Sequence, residues 1–600
     1  MKNKVSLYIT LIIGAMAVPV SAQTKSQLNN EISKVEAGLT PVVRFQGEPL
    51  WTIESRMKYY NVPGVSIAVI KNFKVIWSKA YGFADVESKT PATTQTLFQA
   101  GSMSKPMSAY AALAEVEAGK IDPDADVNAY LKSWKIPENA FTEKKKVSLK
   151  NIVSHTAGLT VSGFFGYEAG KPIPTLVQLL SGQSPSNSPA VFVDKLPGTS
   201  YRYGGGGYCV MQQMLIDIEG KDFVTIMNEK ILLPLNMKKS TFIQPLPEAQ
   251  SQWAATAYRA DGTKVQGKYH TYPEMAPAGL WTTAEDYAKF VIDIQNTLSN
   301  KSHIVISQKM AEEFTTPFID PFMGLGIFLE NKNGQVYFSH GGDNDGFSNK
   351  FVGNKTSGDG IVIMTNTNKI PFIQELIRSV ASVYEWPNFV APVNKILPLS
   401  KDDFSNIGRY RNNKYGFYKI YRENGKLMTV SNAQTPAELI KIGKDQYALR
   451  NEEFTVQFVK NIKTGKKELV EVLYDKTIQS ENAQMNDDEK TPLELILDGN
   501  FEKGTEAYRK ARAQDSSHNF LSENFLNNTG YSLLQQKDLT KAIDIFRLNT
   551  LLYPKSENAY DSLGEAYLSA GQKDKARESY LKVLEINPKN GNAISVLKTL

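Results

Sequence analysis

The stretch Phe98–Pro106 constrains the fold of this chain most strongly, because it puts a serine and a lysine at the start of an apolar helical segment. Ser102 lies where a strand or loop gives way to the helix, and Lys105 follows on the same helical face, about 5–6 Å away. Pro106 is compatible with a first helical turn, where its missing N–H loses no partner. The pattern predicts a hydroxyl beside an amine at the positive end of a helix, which is typical of an activated nucleophile.

A Ser-x-x-Lys match is weak by itself, since the same spacing begins at Ser55, Ser579 and Ser595. A serine that caps an ordinary helix is the simpler interpretation of Ser102 when this motif is taken alone. The evidence for catalysis therefore has to come from other parts of the chain.

Composition limits the kind of protein this is. The 600 residues are 42% hydrophobic and 22% charged, which favours about two to four globular domains. The 68 basic and 62 acidic residues nearly balance, so nucleic-acid binding gains no support. Cys209 is the only cysteine and has no disulfide partner, and there is no His-Glu-x-x-His motif, so we expect neither a metal nor another cofactor.

The N-terminus has the pattern of a secretory signal. Lys2 and Lys4 precede the apolar run Leu7–Val18, and small residues precede Gln23. A membrane anchor, which is the alternative, needs about 20 apolar residues. We therefore expect a signal peptide at residues 1–22, a periplasmic or secreted mature protein, and no membrane span after cleavage.

Two segments before residue 160 add structural expectations. Val62–Ile70 and Val75–Ser78 flank a short polar turn and predict a β-hairpin. His155 follows the end of a helix. It could be a general base, although a histidine beside threonine and glycine at a helix end is more typical of a structural hydrogen bond.

Two glycine-rich segments follow. Tyr203 precedes the run Gly204–Gly207, which is either a flexible hinge or a backbone that approaches a ligand closely beside the tyrosine hydroxyl. Further on, Gly341 and Gly342 follow a strand-like segment. They would let the backbone N–H of Asp343 face a cleft, as an oxyanion hole requires.

In this order and with these gaps, three motifs resemble the serine β-lactamase-like family of class C β-lactamases, D-alanyl-D-alanine carboxypeptidases and related esterases. The motifs are Ser102-x-x-Lys105, Tyr203 within Pro-Gly-Thr-x-Tyr-x-Tyr, and His340-Gly341-Gly342. The stretches Ser154–Leu159 and Ala278–Asp286 resemble the family as well. The resemblance covers residues 35–390 and implies an α+β catalytic domain of the β-lactamase/transpeptidase type, with an antiparallel sheet flanked by helices.

The resemblance also implies a mechanism. Ser102 would attack a carbonyl and form an acyl-enzyme, while Lys105 and Tyr203 would share the transfer of its proton to the leaving group. The N–H groups of Ser102 and Asp343 would hold the oxyanion. His340 takes the position of a lysine in the members that act on lactams and peptides.

Two departures from the family pattern bear on the substrate. Tyr203-Gly204-Gly205 stands in place of Tyr-x-Asn, and His340-Gly341-Gly342 stands in place of Lys-Thr-Gly. The chain therefore lacks a side-chain amide, a positive charge and a hydroxyl that contact β-lactams and cell-wall peptides. We expect a hydrolase of a small ester, amide or peptide instead.

Three alternatives to this interpretation remain open. The first is a β-lactamase or D-alanyl-D-alanine carboxypeptidase, and the second is a catalytically inactive scaffold that binds envelope ligands. The third is mechanistic: a Ser-His-Asp site that uses His155 or His340, although no serine lies within Gly-x-Ser-x-Gly.

The last 200 residues predict two further domains. Alternating segments separated by turns predict a small antiparallel β domain over residues 400–480, for which a barrel is one arrangement. Residues 490–600 repeat at a 34-residue period that is typical of tetratricopeptide repeats. The recurring positions are Gly530 and Gly564, Ala542 and Ala576, Phe546 and Tyr580, and Pro554 and Pro588. This helical domain either caps the β domain or forms a groove for a peptide or a partner protein.

Overall fold

The computed structural model describes residues 25–600 apart from Asp475, Ser517 and Lys589, so the expected signal peptide at residues 1–22 lies outside the described residues. The chain divides into two compact units. Among the described residues, the first comprises 25–39 together with 50–330 and 337–386, and the second comprises 40–49, 331–336 and 387–600. Within the described residues, every helix falls short of the length and apolar character that a membrane crossing requires.

The helices of the first unit are α1 (Lys25–Glu36), α2 (Ile53–Tyr60), α3 (Ser104–Glu117), α4 (Ala140–Lys144), α5 (Leu149–Val153), α6 (Leu176–Leu180), α7 (Gly205–Glu219), α8 (Phe223–Met227), α9 (Glu248–Ser251), α10 (Met275–Ala278), α11 (Ala284–Leu298), α12 (Gln308–Phe314) and α13 (Ile370–Val383). Those of the second are α14 (Pro492–Leu497), α15 (Phe501–Gln514), α16 (Glu523–Gln535), α17 (Leu539–Leu552), α18 (Glu557–Ser569), α19 (Lys573–Ile586) and α20 (Gly591–Leu597).

The strands, in chain order, are β1 (Arg44–Phe45), β2 (Gly64–Lys71), β3 (Lys74–Asp85), β4 (Thr90–Pro91), β5 (Phe98–Gln99), β6 (Trp281–Thr282), β7 (Phe328–Lys332), β8 (Gln335–Asn344), β9 (Phe347–Asn354), β10 (Gly360–Thr365), β11 (Val393–Asn394), β12 (Gly408–Asn412), β13 (Gly416–Glu423), β14 (Lys426–Ser431), β15 (Ala437–Glu438), β16 (Ile440–Gly443), β17 (Gln446–Ala448), β18 (Phe454–Lys460), β19 (Lys467–Leu473) and β20 (Ile478–Ala483).

The first unit is organised around a seven-stranded sheet with the order β4-β3-β2-β10-β9-β8-β7. The predicted hairpin is β2 with β3, and the pairs β2–β10, β9–β10 and β8–β9 are antiparallel as well. Every residue of β10 is buried, as is nearly all of β2, which is expected for central strands covered on both faces.

Helices cover this sheet and form the rest of the unit. α11 contacts β2, β3 and β10, and α13 contacts β9 and β10. α3 lies against α7 and α10, and most of its residues are buried. The predicted α+β architecture, an antiparallel sheet flanked by helices, is confirmed.

The β region of the second unit consists of two antiparallel sheets, β12-β13-β14-β15 and β16-β17-β18-β19-β20. A bridge between Tyr410 and Gln484 links them, but they do not form one continuous closed sheet, so the arrangement differs from the barrel considered above. Their facing sides share an apolar core that includes Ile420, Leu427 and Leu469. The strands where one sheet ends and the other begins are short, with two residues in β15, four in β16 and three in β17.

The remaining residues of the second unit form the predicted helical repeats. α14 packs on α15, α16 on α17, and α18 on α19, and α20 follows. The rings of Phe546 and Tyr580 lie directly against Gly530 and Gly564, the small positions of the repeat. The 34-residue period therefore reflects a contact between an aromatic ring and a glycine, and this contact recurs in successive helix pairs.

Candidate active site

Ser102 lies at the junction between a short strand and the central helix of the first unit. β5 pairs with β6, and the N–H of Ala100 donates to the carbonyl of Leu280 at 2.8 Å. The chain then makes a 3₁₀ turn over Gly101–Met103 and continues into α3. The first N–H groups of a helix have no intrahelical acceptor, so the N–H of Ser102 is available to a ligand.

Lys105 lies in the first turn of α3 and is 2% exposed. Its Nζ donates to Ser102 Oγ at 2.9 Å and to the carbonyl of Pro277, in α10, at 3.1 Å. Burial lowers the pKa of Lys105 to about 7, while nearby Cys209 acts in the opposite direction. A substantial fraction of this amine is therefore neutral at neutral pH, and a neutral amine can accept a proton.

Tyr203 completes the group around Ser102. The centroid of its ring lies 4.8 Å from Lys105 Nζ and 4.4 Å from the ring centroid of His155. Burial raises the pKa of Tyr203 well above its ordinary value, and hydrogen bonding to Ser102 acts in the opposite direction. The phenol is therefore protonated at neutral pH, which suits a proton donor better than an initial proton acceptor.

Two buried histidines adjoin this group, and neither is hydrogen-bonded to Ser102 among the described residues. His155 Nδ1 accepts the N–H of Gly204 at 3.1 Å, and His340 Nδ1 pairs with the carbonyl of Gly341. Burial and the nearby Lys105 lower the pKa of His155 well below its ordinary value and that of His340 to about 3. Both imidazoles are neutral at pH 7, so neither provides the positive charge that a lysine at the position of His340 would carry.

The strand β8 brings the segment His340–Asp343 alongside Ser102. A Cβ on Gly342 would lie 1.9 Å from the carbonyl oxygen of Ala100 and 3.0 Å from the nitrogen of Ser102. Only glycine allows the two backbone segments to approach so closely. This contact fixes the position of the Ser102 turn relative to the edge of the sheet.

The register of β8 and β9 indicates where the N–H of Asp343 points. Asn344 pairs with Phe347 across a two-residue turn, and Asp343 pairs with Ser348. In an antiparallel hairpin the pair that closes a two-residue loop is hydrogen-bonded, and the next pair is not. The N–H of Asp343 therefore points away from β9, and Gly101 is adjacent, since a Cβ there would lie 2.7 Å from that nitrogen. Two N–H groups, those of Ser102 and Asp343, thus lie at the same edge.

Most of the glycine run after Tyr203 is helical, and three of its four glycines pack against other residues of the first unit. Gly205–Gly207 form the first turn of α7 and pack on the preceding loop. A Cβ on Gly205 would lie 2.7 Å from the Phe164 ring, and one on Gly206 would lie 2.4 Å from the carbonyl oxygen of Thr160. The run is needed because a loop more than 40 residues earlier crosses the start of this helix, which local sequence does not reveal.

Two residues near the site were not assigned a role from sequence. Pro277 provides the carbonyl that accepts from Lys105, and it precedes the stretch Ala278–Asp286 that resembles the family. Glu274 is fully buried just before α10, and its carboxyl oxygens have no hydrogen-bond partner among the described residues. Burial raises the pKa of Glu274 to about 8, so this carboxyl is mostly protonated at neutral pH.

Comparison with known protein families gives two matches. The model described as Beta-lactamase matches residues 52–385, which is more than half of the chain. The model described as Tetratricopeptide repeat matches residues 557–590.

Similar proteins and solved structures agree with these matches. Protein flp of Staphylococcus aureus (strain MW2) is 24% identical over 364 residues, which cover 59% of this chain and 69% of that protein. D-aminopeptidase of Brucella anthropi is 25% identical over 294 residues, which cover 48% of this chain and 52% of that protein. The octameric penicillin-binding protein homologue from Pyrococcus abyssi has a TM-score of 0.50 at 18% identity, covers 72% of this chain and 98% of its own, and shows the fold alone.

Proposed function

Because the chain belongs to the β-lactamase family and is a serine hydrolase of that family, we propose that Ser102 is its nucleophile and that it cleaves small esters and amides through an acyl-enzyme. Lys105 is the general base in this proposal, and Tyr203 passes the proton to the leaving group. Water then releases the acid and restores Ser102.

The position of Lys105 is the observation that carries the proposal. Its Nζ lies 2.9 Å from Ser102 Oγ, within the range for direct proton transfer. Burial lowers the pKa of Lys105 to about 7, so the neutral amine is populated where the enzyme would work. No comparable base adjoins Ser102 among the described residues, since the two histidines are hydrogen-bonded elsewhere.

Tyr203 has a different part in the proposal. Its raised pKa keeps the phenol protonated until the leaving group develops negative charge. Proton donation at that moment stabilises the departing alkoxide or amine, and Lys105 can then return its own proton to Tyr203. The N–H groups of Ser102 and Asp343 hold the oxyanion of the tetrahedral intermediate.

The substrate class follows from charge. His340 is buried and neutral, so the position of the family's lysine carries no positive charge for a substrate carboxylate. We therefore expect the protein to hydrolyse esters, amides and peptides in preference to β-lactams. The relative named D-aminopeptidase supports amide cleavage, but its likeness covers only 48% of this chain.

Hydrolysis of a p-nitrophenyl ester by the mature protein tests this proposal, with a chromogenic cephalosporin and an alanine p-nitroanilide alongside. Ester turnover that disappears in Ser102→Ala supports the acyl-enzyme route. The rates with the other two substrates then show whether the protein cleaves the β-lactam or the anilide faster. No turnover of any of the three by a folded protein would favour an inactive scaffold.

Two further proposals concern the ends of the chain. Residues 1–22 direct export, which N-terminal sequencing of protein from the cell envelope or medium would test.

The repeats bind a peptide or protein partner, and deletion of residues 490–600 should then abolish partner capture without changing ester turnover. Loss of solubility on deletion would instead indicate a packing role.

A further inference from the structure

The two sheets of the second unit line a partly open cavity of about 560 Å³. This volume lies within the range of about 300–1,000 Å³ that is usual for small-molecule sites. One side is apolar and is formed by Leu449, Val456 and Leu469, all of them nearly inaccessible to solvent. The cavity is therefore large enough to accept an apolar body of moderate size.

The same side of the cavity also carries a buried carboxylate, next to these apolar residues. Glu471 is 7% exposed, and it follows Leu469 by two residues on β19, so both side chains face the interior. Its register partner on β18, Val456, lies on the same face. Glu471 lies within a run of four buried residues, Leu469–Val472, and a glutamate is seldom buried in such surroundings unless it is paired.

Glu471 is held in a fixed orientation. Tyr418 Oη donates to Glu471 Oε1 at 2.6 Å, and Ser480 Oγ donates to Glu471 Oε2 at 2.7 Å. Both donors are neutral, so the carboxylate is hydrogen-bonded but its charge is not balanced. A buried charge without a counter-charge is costly, and proteins usually pair such a group.

The other charged groups around the cavity do not balance this charge. Arg450 pairs with Glu48 at 2.8 Å, and Glu438 pairs with Lys426 at 2.7 Å. Glu452 adds a second acidic group, and its pKa is raised first by burial and then by Glu471. Among the described residues, no ion pair includes Glu471 or Glu452.

We propose that this cavity binds a small organic cation, an ammonium group on an apolar body, with the ammonium paired to Glu471 and the body against Leu449, Val456 and Leu469. The hydroxyls that hold Glu471 keep its two oxygens in position to accept from the ammonium. The cavity lies wholly in the second unit, so binding there does not depend on the chemistry at Ser102.

Three probes of matched shape test the charge requirement without any substitution. Calorimetric titration of the full-length protein would compare 2-phenylethylamine, 2-phenylethanol and 3-phenylpropionate. We expect the amine to bind at least about tenfold more tightly than the alcohol, because a charge-assisted hydrogen bond contributes that much, and the acid to bind most weakly. Equal affinity for amine and alcohol, or no saturable binding of the amine, would overturn the proposal.

Substitutions then locate the site. Glu471→Gln should lower the affinity for the amine at least about tenfold and leave that for the alcohol nearly unchanged. Glu468→Gln is the matched control, since Glu468 is on the same strand but faces the other way and accepts from Asn461. If Glu471→Gln does not fold, Leu469→Phe provides a second variant, and its added volume should weaken both amine and alcohol. Unchanged amine binding in either folded variant would place the site elsewhere and contradict the proposal.

Discussion

The turn that carries Ser102 and the helical repeats both depend on glycines that leave no room for a Cβ. The two regions differ in the kind of atom that lies against the glycine. At Gly342 the nearest atom is the carbonyl oxygen of Ala100, 1.9 Å from an added Cβ, and the nitrogens of Met103 and Ser102 follow at 2.8 Å and 3.0 Å. At Gly530 it is a ring carbon of Phe546, 2.5 Å away. A ring can tilt at moderate cost, whereas a shift of the Ser102 backbone displaces the residue that we propose as the nucleophile. We therefore expect close packing at Gly342 to position the proposed nucleophile, and close packing at Gly530 to stabilise the repeats.

Of the variants that test this difference, Ser102→Ala should have the largest effect. It removes the proposed nucleophile while the backbone of the turn stays in place, so kcat for a p-nitrophenyl ester should fall by up to about a millionfold. Thermal unfolding should be little changed, because the Ser102 side chain is only partly buried. Residual turnover above one per cent of wild type would mean that another group attacks the carbonyl.

Lys105→Met removes the base and keeps the length of the side chain. We expect kcat/KM to fall about a thousandfold. In the wild type the active form is the neutral amine, so kcat/KM should rise as pH increases through about 7 and then level off. The variant should lose this rise. A pH profile that is flat in the wild type, or that persists in Lys105→Met, would assign the base to another residue.

Gly342→Ala probes the close approach at the site without touching a reacting group. The added methyl must displace the Ser102 turn, and a shift of about 1 Å can cost about a hundredfold in kcat. Gly341→Ala should cost much less, since the nearest heavy atom to its Cβ would lie at 3.7 Å, an ordinary contact. Equal effects of the two variants, measured with the same ester, would show that the close contact between Gly342 and the carbonyl of Ala100 does not position Ser102.

Gly564→Ala applies the same change to the repeats. Its Cβ would lie 2.8 Å from the Tyr580 ring, and overpacking of this kind typically costs about 1–3 kcal/mol. We expect unfolding of the second unit at lower denaturant concentration, with kcat/KM for the ester unchanged. A loss of activity as large as that of Gly342→Ala would remove the distinction between the two regions.

Features encoded by nearby residues were predictable from the sequence. The hairpin β2–β3, the helix after Ser102 and the 34-residue repeat each depend on alternation, capping or periodicity within a short window. The family and the α+β class followed from the order and spacing of three motifs. The domain bounds 35–390, 400–480 and 490–600 and the catalytic roles stay predictions.

Features that depend on distant segments were not predictable. Three contacts join parts of the chain that are far apart in sequence. They are the packing of the glycine run on Thr160 and Phe164, the tilted contact between the rings of His155 and Tyr203, and the hydrogen bond from Lys105 to the carbonyl of Pro277. The Ser-x-x-Lys pattern indicated a partly desolvated lysine with a lowered pKa, but it did not show that α7 and α10 are the helices packed against α3, which carries Lys105.

Detection of the acyl-enzyme tests the central claim most directly. The mature protein would be mixed briefly with p-nitrophenyl acetate, quenched with acid, and analysed as intact protein and as peptides by mass spectrometry. We expect one acetyl group on the peptide that contains Ser102, and no such adduct in Ser102→Ala. An adduct on a different residue, or ester turnover that persists in Ser102→Ala, would contradict the assignment of Ser102 as the nucleophile.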